Sequence, residues 1–281
     1  MSMLVSTQWL ADNLGAPELV VLDASAHLPD AGRDPRAEFA AAHIPGARYL
    51  DLATLVDPAS PVPAALPDPT TFAQRMASLG VRETDHVVVY DDSYVKTAAR
   101  AWFIASLHGM RQVAVLDGGL SKWRSEGRAL ESGTPDVAPS TFASIPGNLE
   151  VRTKADVLAN LGSKAEQLVD ARGAKRFTGE MSDFRPEVAD GHIPGSRNLP
   201  FDELFNADDT YKSPEEIRAA FTKAGVDLNR PLVTTCGGGV TAAVLLFALA
   251  LAGKTDVALY DGSWAEWGTD PATPKETGPA A

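Results

Sequence analysis

The stretch Pro231-Leu-Val-Thr-Thr-Cys236-Gly-Gly-Gly-Val-Thr241, with the apolar run that follows it to Gly253, decides the fold. Leu232–Thr235 is short, apolar and β-branched, which predicts a buried strand. Ala242–Ala252 is longer and rich in Ala and Leu, which predicts a buried helix. Cys236, the single cysteine of the chain, is therefore expected on a turn that leads from a strand into a helix.

Three consecutive glycines follow the cysteine and remove every side chain from this part of the turn. Glycine also permits positive φ, so the backbone N–H groups can point inward at the helix N-terminus. Such a ring of amides favours negative charge, and we expect it to hold the Cys236 sulfur as a nucleophilic thiolate. The alternative, a buried structural cysteine, stays open at this point. The backbone expected to bind an anionic substrate belongs to Gly237, Gly238, Gly239, Val240 and Thr241.

The composition excludes several classes of partner. The chain has 281 residues, 44% of them hydrophobic and 22% charged, which suits a folded protein of two domains. Its 25 basic and 37 acidic residues give a net charge of −12, which argues against a nucleic acid or an acidic membrane as partner. One cysteine rules out an internal disulfide framework and fits a reducing compartment. With no pattern typical of a signal peptide or a membrane span, we expect a soluble cytoplasmic protein.

Short sequence motifs of the first half recur in the same order in the second half. Ala42-His-Ile-Pro-Gly-Ala-Arg48, for example, returns as Gly191-His-Ile-Pro-Gly-Ser-Arg197. This order indicates a tandem duplication in which strands alternate with helices. The predicted fold class is α/β, with two domains that each have a mostly parallel sheet and helices on both faces. We predict domains at residues 1–131 and 149–281, joined by a linker at 132–148 that is rich in Pro, Ser, Gly and Thr.

The duplication separates features of the fold from candidates for function. His43 and His192 occupy the same turn in the two halves, so we expect both to make structural hydrogen bonds. At the position of Cys236, the first half has Asp91 and lacks the glycines. If Cys236 is a nucleophile, the first half is a catalytically silent copy.

Several reactions of a cysteine at such a turn are disfavoured by what surrounds it. A Cys-x5-Arg phosphatase needs arginine where this chain has Ala242, and no histidine stands out as the base of a cysteine protease. One cysteine without a nearby histidine does not make a metal site, and no Gly-Lys-Ser/Thr loop for nucleotide phosphates is found. What remains is thiol-based group transfer through a persulfide, with neither cofactor nor metal expected.

Arginines in the segment after Asp170 are candidates to anchor a small anionic substrate. Arginine binds a carboxylate or sulfonate through two parallel hydrogen bonds, which lysine does not. Arg172 and Arg176 have no counterpart in the first half, which favours a functional interpretation. Arg185 aligns with Arg36, which favours a structural one.

Five motifs together resemble the two-domain rhodanese family of sulfurtransferases over nearly the whole chain. They are Asp170-Ala-Arg172, Arg176-Phe-x-Gly179, Gly191-His-Ile-Pro-Gly195, the loop Cys236–Thr241 and Tyr260-Asp-Gly-Ser-Trp264. The resemblance implies that Cys236 carries the persulfide and that Arg176 and Arg185 bind the carboxylate of the substrate. In this family Cys-Gly-Ser-Gly-Val-Thr is typical of 3-mercaptopyruvate as donor and Cys-Arg-Lys-Gly-Val-Thr of thiosulfate. The loop of this chain is closer to the first.

The chain departs from the family at one position of the loop. Gly238 stands where the resemblance would place a serine that relays a proton to the substrate. The acidic residue and histidine that assist this serine would correspond to Asp34 and His43, and without the hydroxyl we do not assign them a catalytic role. The expected reaction moves sulfur from 3-mercaptopyruvate to cyanide, a small thiol or a thioredoxin-like protein. A thiosulfate donor and a non-catalytic persulfide-binding module are the alternatives.

Overall fold

The computed structural model describes residues 2–280, which form two compact units. Unit 1 holds residues 2–57, 66–148 and 206–211, and unit 2 holds residues 58–65, 149–205 and 212–280. The region predicted as a linker, 132–148, is counted with unit 1, where Gly147 N–H donates to the carbonyl of Leu107 at 2.8 Å. The domain boundaries given above stay a prediction.

Unit 1 alternates strands with helices, as the sequence predicts. Its strands are β1 (Leu4–Val5), β2 (Leu19–Asp23), β3 (Arg48–Tyr49), β4 (His86–Tyr90) and β5 (Val113–Leu116). Its α-helices are α1 (Thr7–Asn13), α2 (Pro35–Ala41), α3 (Pro69–Ser78), α4 (Thr97–Leu107) and α5 (Gly119–Ser125). Ser6 caps α1 by accepting a hydrogen bond from Trp9 N–H, which is the role that serine takes at helix starts.

Unit 2 repeats this order. Its strands are β6 (Glu150–Arg152), β7 (Gln167–Asp170), β8 (Arg197–Asn198), β9 (Leu232–Thr235) and β10 (Val257–Tyr260). Its α-helices are α6 (Lys154–Ser163), α7 (Ala174–Thr178), α8 (Pro214–Lys223), α9 (Val240–Leu251) and α10 (Ser263–Trp267). None of the helices among residues 2–280 has the length and apolar character needed to cross a membrane.

Each unit contains one parallel sheet of five strands. The strand order is β1-β5-β4-β2-β3 in unit 1 and β6-β10-β9-β7-β8 in unit 2. Because the strands are parallel, their connections cross over as helices, and both faces of the sheet are covered. The predicted α/β class with two tandem parallel sheets is confirmed.

The central helix of each unit is buried. In α9, all side chains from Thr241 to Leu249 are buried, and α4 is buried in the same way from Thr97 to Ala105. A helix whose side chains are buried on every side is stable only where neighbouring elements surround it. The N-terminus of each central helix is thereby held at the carboxyl end of the sheet, where loops of parallel α/β folds bind ligands.

Residues 206–211 belong to unit 1 although they follow β8 of the second half in sequence. Lys122 Nζ binds Asp208 at 2.7 Å, and the backbone N–H of Tyr211 donates to the Asp117 carboxylate at 2.8 Å. The hydrogen bond from Lys122 lowers the pKa of Asp208 to about 2. These polar contacts fix the segment to unit 1.

Candidate active site

Cys236 lies directly after β9, in the turn that leads into α9. Its thiol is free and the residue is only 2% exposed. Helix α9 begins at Val240, immediately after Gly239, which holds the left-handed conformation at φ 79°. No side chain caps this helix, so its first backbone N–H groups keep no side-chain partner. The buried thiol therefore lies beside a helix N-terminus whose partial positive charge no capping side chain compensates.

The backbone of the cysteine is held from one side by the first residues of α10. Cys236 N–H donates to Ser263 Oγ at 3.2 Å, and the Cys236 carbonyl accepts from Trp264 N–H at 2.9 Å. The next carbonyl, that of Gly237, accepts from Ala265 N–H at 2.9 Å. These bonds fix the peptide that carries the thiol, and with it the direction of the Cα–Cβ bond.

Ser263 adopts a backbone conformation that serine rarely takes. Its φ is 51°, while the equivalent residue of unit 1 is Gly119 at φ 55°. Its hydroxyl donates to the Tyr260 carbonyl at 2.8 Å and accepts the Cys236 N–H. Left-handed φ is unfavourable for a residue with a Cβ. The backbone of Ser263 is therefore strained, and it is at this position that a hydroxyl can bind the Cys236 N–H.

Unit 1 shows what a side chain at the cysteine position can reach. Asp91 follows β4 as Cys236 follows β9, and its carbonyl accepts from Leu120 N–H at 3.0 Å, as that of Cys236 accepts from Trp264. The Asp91 carboxyl accepts from Ala98 N–H at 2.5 Å and from Ser93 N–H at 3.0 Å. Burial raises the pKa of Asp91 to about 6, against the lowering effect of these hydrogen bonds. A group at this position thus meets one N-terminal amide of the central helix, that of Ala98, and one amide of the preceding loop, that of Ser93.

Arg185 reaches the turn of the cysteine. Its Nη2 donates to the carbonyl of Gly237 at 3.3 Å. The guanidinium also binds Asp183 through Nε at 2.8 Å and Nη2 at 3.0 Å, and the Asp183 side chain is 3% exposed. Burial opposes ionisation of Asp183, but the hydrogen bonds from Arg185 outweigh it and lower the pKa of that carboxyl. The positive charge of Arg185 is therefore balanced within the protein.

Arg176 differs from Arg185 in that its charge is not balanced by a contact. It lies on the short helix α7 and its guanidinium carbon lies 5.6 Å from the centre of the Phe184 ring. The carbon of the Arg185 guanidinium lies 4.8 Å from the centre of the same ring. Among residues 2–280, no side-chain hydrogen bond or ion pair involves Arg176. The three charged side chains of this cluster, Arg176, Arg185 and Asp183, sum to one positive charge.

Arg172 is not available to a substrate, so the functional interpretation of this residue was wrong. Its guanidinium binds the buried Asp170 through Nε at 3.0 Å and Nη2 at 2.7 Å. Nη2 also donates to the Gly191 carbonyl at 2.8 Å, and the group lies 4.7 Å from the ring centre of Trp264. A buried arginine that is paired with a buried carboxylate in this way stabilises the fold.

The remaining loop residues frame the thiol with little side-chain bulk. A Cβ at Gly238 would meet no atom within 4 Å, and one at Gly237 would meet only Arg185 Nη2, at 4.0 Å. Val240 and Thr241 are the first two residues of α9, and no hydrogen bond involves the Thr241 hydroxyl within the described chain. The loop is therefore open to a small ligand on the side of Gly238.

The two histidine turns are structural, which confirms the interpretation drawn from the repeat. His43 Nδ1 donates to the Phe39 carbonyl, and His192 Nδ1 donates to the Phe177 carbonyl, each at 2.8 Å. Each imidazole also stacks on the phenylalanine whose carbonyl it binds, with ring centres 4.1 Å and 3.7 Å apart. Asp34 caps α2 by accepting from the N–H groups of Arg36 and Ala37.

Three residues of the site were missed by the sequence analysis, namely Ser263, Asp183 and Phe184. Ser263 could have been found by comparing the two halves, because Gly119 marks a position that requires positive φ. Asp183 and Phe184 directly precede Arg185, but their roles depend on side-chain directions. Among the described residues, no group of three or more His, Cys, Asp or Glu side chains is arranged to hold a metal ion.

Comparison with known proteins places this geometry in a family. The model of the rhodanese-like domain matches residues 6–126 and again 153–270. The chain is 44% identical to 3-mercaptopyruvate sulfurtransferase of Mus musculus over 94% of this chain and 91% of that one. It is 42% identical to thiosulfate sulfurtransferase of Bos taurus, with the same coverage. Among solved structures, it resembles the 3-mercaptopyruvate sulfotransferase SseA from Escherichia coli with a TM-score of 0.86, 37% identity and coverage of 94% and 99%.

Two rhodanese-like domains and relatives of this identity show that the chain belongs to the rhodanese family. It is an enzyme, and its activity is that of a sulfurtransferase.

Proposed function

We propose that this sulfurtransferase takes sulfur from 3-mercaptopyruvate and holds it as a persulfide on Cys236. The observation that carries the proposal is the net charge of the arginine cluster, whose member Arg185 reaches the loop of the thiol. Asp183 balances Arg185, so Arg176 leaves one positive charge for the substrate. Mercaptopyruvate has one carboxylate, whereas thiosulfate has two negative charges and would leave one unpaired in a loop that contains no cation.

In the first half-reaction, the Cys236 thiolate attacks the sulfur of 3-mercaptopyruvate. A sulfur–sulfur bond forms while the carbon–sulfur bond breaks, and the electron pair of that bond goes to carbon as the enolate of pyruvate. The proton of the donor thiol then passes to this carbon, which gives pyruvate and leaves an anionic persulfide on Cys236. In this mechanism the N–H groups at the start of α9, which no side chain caps, stabilise the terminal sulfur of that persulfide.

In the second half-reaction, a nucleophile takes the terminal sulfur and restores the Cys236 thiolate. Cyanide gives thiocyanate, and the thiolate of a small thiol or of a thioredoxin-like protein gives a new persulfide. Both half-reactions conserve charge and need no external oxidant or reductant. The enzyme therefore alternates between a free and a sulfur-loaded form, and the kinetics are expected to be ping-pong.

The relatives support this choice of donor. The 3-mercaptopyruvate sulfurtransferases of mouse and rat are 44% and 43% identical to this chain. The bovine thiosulfate sulfurtransferase is 42% identical, which keeps thiosulfate as the second candidate donor. Gly238 supplies no hydroxyl, so the mechanism uses the proton of the donor thiol and assigns no relay to Asp34 or His43.

The first half has no thiol at the equivalent position, and we propose that it is catalytically silent. Asp91 occupies that position, and its carboxyl accepts from the N–H groups of Ala98 and Ser93, so these amides are already engaged. A single unpaired cysteine suits a reducing compartment, and we propose the cytoplasm. Small or protein thiols of that compartment would serve as the acceptor.

Intact mass spectrometry tests the intermediate. After incubation with 3-mercaptopyruvate and removal of the donor, the wild-type chain should gain about 32 Da, the mass of one persulfide sulfur. Cys236→Ser should gain none and should release no pyruvate. A wild-type chain that turns over without this adduct would overturn the mechanism.

The donor is decided by two assays on one preparation. Pyruvate release from 3-mercaptopyruvate is compared with thiocyanate formation from thiosulfate and cyanide, both as kcat/KM. The proposal requires the first value to be larger by about tenfold or more, which corresponds to a preference of roughly 1.4 kcal/mol in the transition state. A larger value for thiosulfate would replace the proposed donor and leave the persulfide on Cys236 intact.

A further inference from the structure

Phe184 lies on the surface beside the candidate site with no core around it. Its side chain is 52% exposed, although the burial of a phenylalanine side chain is favourable. Asp183 and Arg185 flank it in sequence, and Arg185 reaches the loop of the cysteine. An apolar ring kept in water beside two arginines calls for an explanation other than packing.

The ring is shared by the two guanidiniums of the site. The carbon of Arg185 lies 4.8 Å and that of Arg176 lies 5.6 Å from the ring centre. Both distances fall within the range of about 6 Å over which an aromatic ring attracts a cation. One side chain is therefore in contact with both residues that are proposed to bind the donor.

The two arginines depend on the ring to different degrees. Arg185 is also held by Asp183 and by the carbonyl of Gly237. Arg176 has no side-chain hydrogen bond or ion pair among residues 2–280, so the ring is its one side-chain contact of this kind. Loss of the ring should therefore disturb Arg176 more than Arg185.

An aromatic support has an advantage over a carboxylate at this place. A carboxylate would occupy two N–H donors of Arg176 and cancel its charge, as Asp183 does for Arg185. A ring holds the guanidinium through its charge and leaves the N–H donors and the positive charge available to a ligand.

We propose that Phe184 is a positioning residue for the donor's carboxylate, acting by holding Arg176 and Arg185 over one ring. The proposal rests on the proposed function, since it assumes that these arginines bind an anionic sulfur donor. The ring sets the affinity for the donor, and the attack on sulfur by Cys236 does not depend on it.

Steady-state kinetics of Phe184 variants test this role. Phe184→Ala should raise KM for 3-mercaptopyruvate by about threefold to tenfold, in keeping with a cation–π contact at an exposed site, and should change kcat by less than about twofold. Phe184→Tyr keeps the ring and should restore KM, while Phe184→Leu keeps apolar bulk only and should not. Met181→Ala is the matched control, because Met181 is equally exposed at 50% and lies nearby in sequence. An unchanged KM in Phe184→Ala, or an equal rise in Met181→Ala, would overturn the proposal.

Alkylation of the single cysteine gives a readout that needs no turnover. Iodoacetate carries a carboxylate and iodoacetamide is its neutral analogue, so the ratio of their rates reports the positive charge presented beside Cys236. Phe184→Ala should lower this ratio by about twofold or more relative to wild type, and Phe184→Tyr should preserve it. If wild type fails to release pyruvate, the proposed donor is wrong, but the ratio still decides the role of Phe184. A ratio that is the same in wild type and Phe184→Ala rejects it.

Discussion

The hydroxyl of Ser263 lies 3.2 Å from the backbone nitrogen of Cys236, and the serine takes a left-handed backbone conformation in making this contact. Its own hydrogen atom goes to the carbonyl of Tyr260 at 2.8 Å, so the donor and acceptor capacities of the hydroxyl are both used. The serine is fully buried, and no solvent competes for either bond. Ser263 therefore connects the end of β10 to the peptide that carries the thiol.

Two substitutions of Ser263 separate the hydroxyl from the strain. Ser263→Ala loses both hydrogen bonds and keeps the unfavourable φ, so it should destabilise the protein by about 2 kcal/mol. Ser263→Gly loses the same bonds but relaxes the backbone, so it should be more stable than the alanine variant by about 1 kcal/mol. Because both release the Cys236 peptide, both should lower kcat by about tenfold. Urea unfolding and pyruvate release measure the two effects; full turnover by either variant would contradict the assigned role.

Gly238→Ser introduces a hydroxyl into the loop at a position with room for it. A Cβ there meets no atom within 4 Å, so the change in unfolding free energy should stay within about 0.5 kcal/mol. The resemblance to the family gives this hydroxyl a role in proton transfer, and we expect kcat with 3-mercaptopyruvate to rise by about tenfold.

Gly239→Ser is the matched control for that variant. Gly239 holds φ at 79°, and serine in this conformation should destabilise the protein by about 1 kcal/mol without raising kcat. Turnover and thermal unfolding of both variants are measured together. A lower kcat in Gly238→Ser would show that the chain depends on an open loop at this position.

Asp183→Asn should move the preference of the site toward a doubly charged donor. The substitution frees the charge that Asp183 now balances, so the cluster rises from one to two positive charges. We expect kcat/KM for thiosulfate to increase by a factor on the order of ten relative to 3-mercaptopyruvate at low salt, and less at high salt because ions screen the charge. Glu187→Gln removes the same charge from an exposed side chain two residues after Arg185. If the two variants behave alike, the local pairing of Asp183 is not what sets the preference.

Asp91→Asn should change the pH dependence of stability. Burial raises the pKa of Asp91 from 3.8 to about 6, so between these values the folded chain keeps a proton that the unfolded chain has lost. Stability therefore falls as pH rises through this window and levels off above it, and this part of the slope disappears in the variant. Relative to wild type, the variant should gain on the order of 1–3 kcal/mol from pH 4 to pH 6. Urea unfolding across this range checks it, and parallel curves for the two proteins would show that Asp91 does not titrate as described.

The tandem fold could be predicted because the signals on which it rests are local. Apolar strands such as Val113–Leu116 can be recognised without tertiary contacts, and so can Gly80, the glycine just after the end of helix α3. Cys236 could be singled out for the same reason, since a lone cysteine followed by three glycines indicates a turn at a helix start. The helix begins at Val240 and not at Ala242, because the last glycine itself provides the left-handed residue before the helix.

What the sequence could not predict depends on which side chains meet. Arg172 and Arg176 are four residues apart and both lack a counterpart in the first half, but Arg172 turns inward to Asp170 and Arg176 does not. The short edge strands, such as β8 at Arg197–Asn198, have too few residues to show a period. The attachment of residues 206–211 to unit 1 depends on long-range contacts such as Lys122 with Asp208.

The carboxyl of Asp91 in the first half occupies the position that the thiol of Cys236 occupies in the second half. It places an acid group of the chain itself against the Ala98 amide at the start of α4. In the second half the corresponding place has only a thiol, and our proposal brings a charged sulfur there once in every cycle. The Asp91 carboxyl in the first half then corresponds to the charged persulfide sulfur that Cys236 carries in the proposed cycle. After gene duplication, equivalent positions of the chain thus carry a permanent acid group in the first half and, in our proposal, a transient charged sulfur in the second.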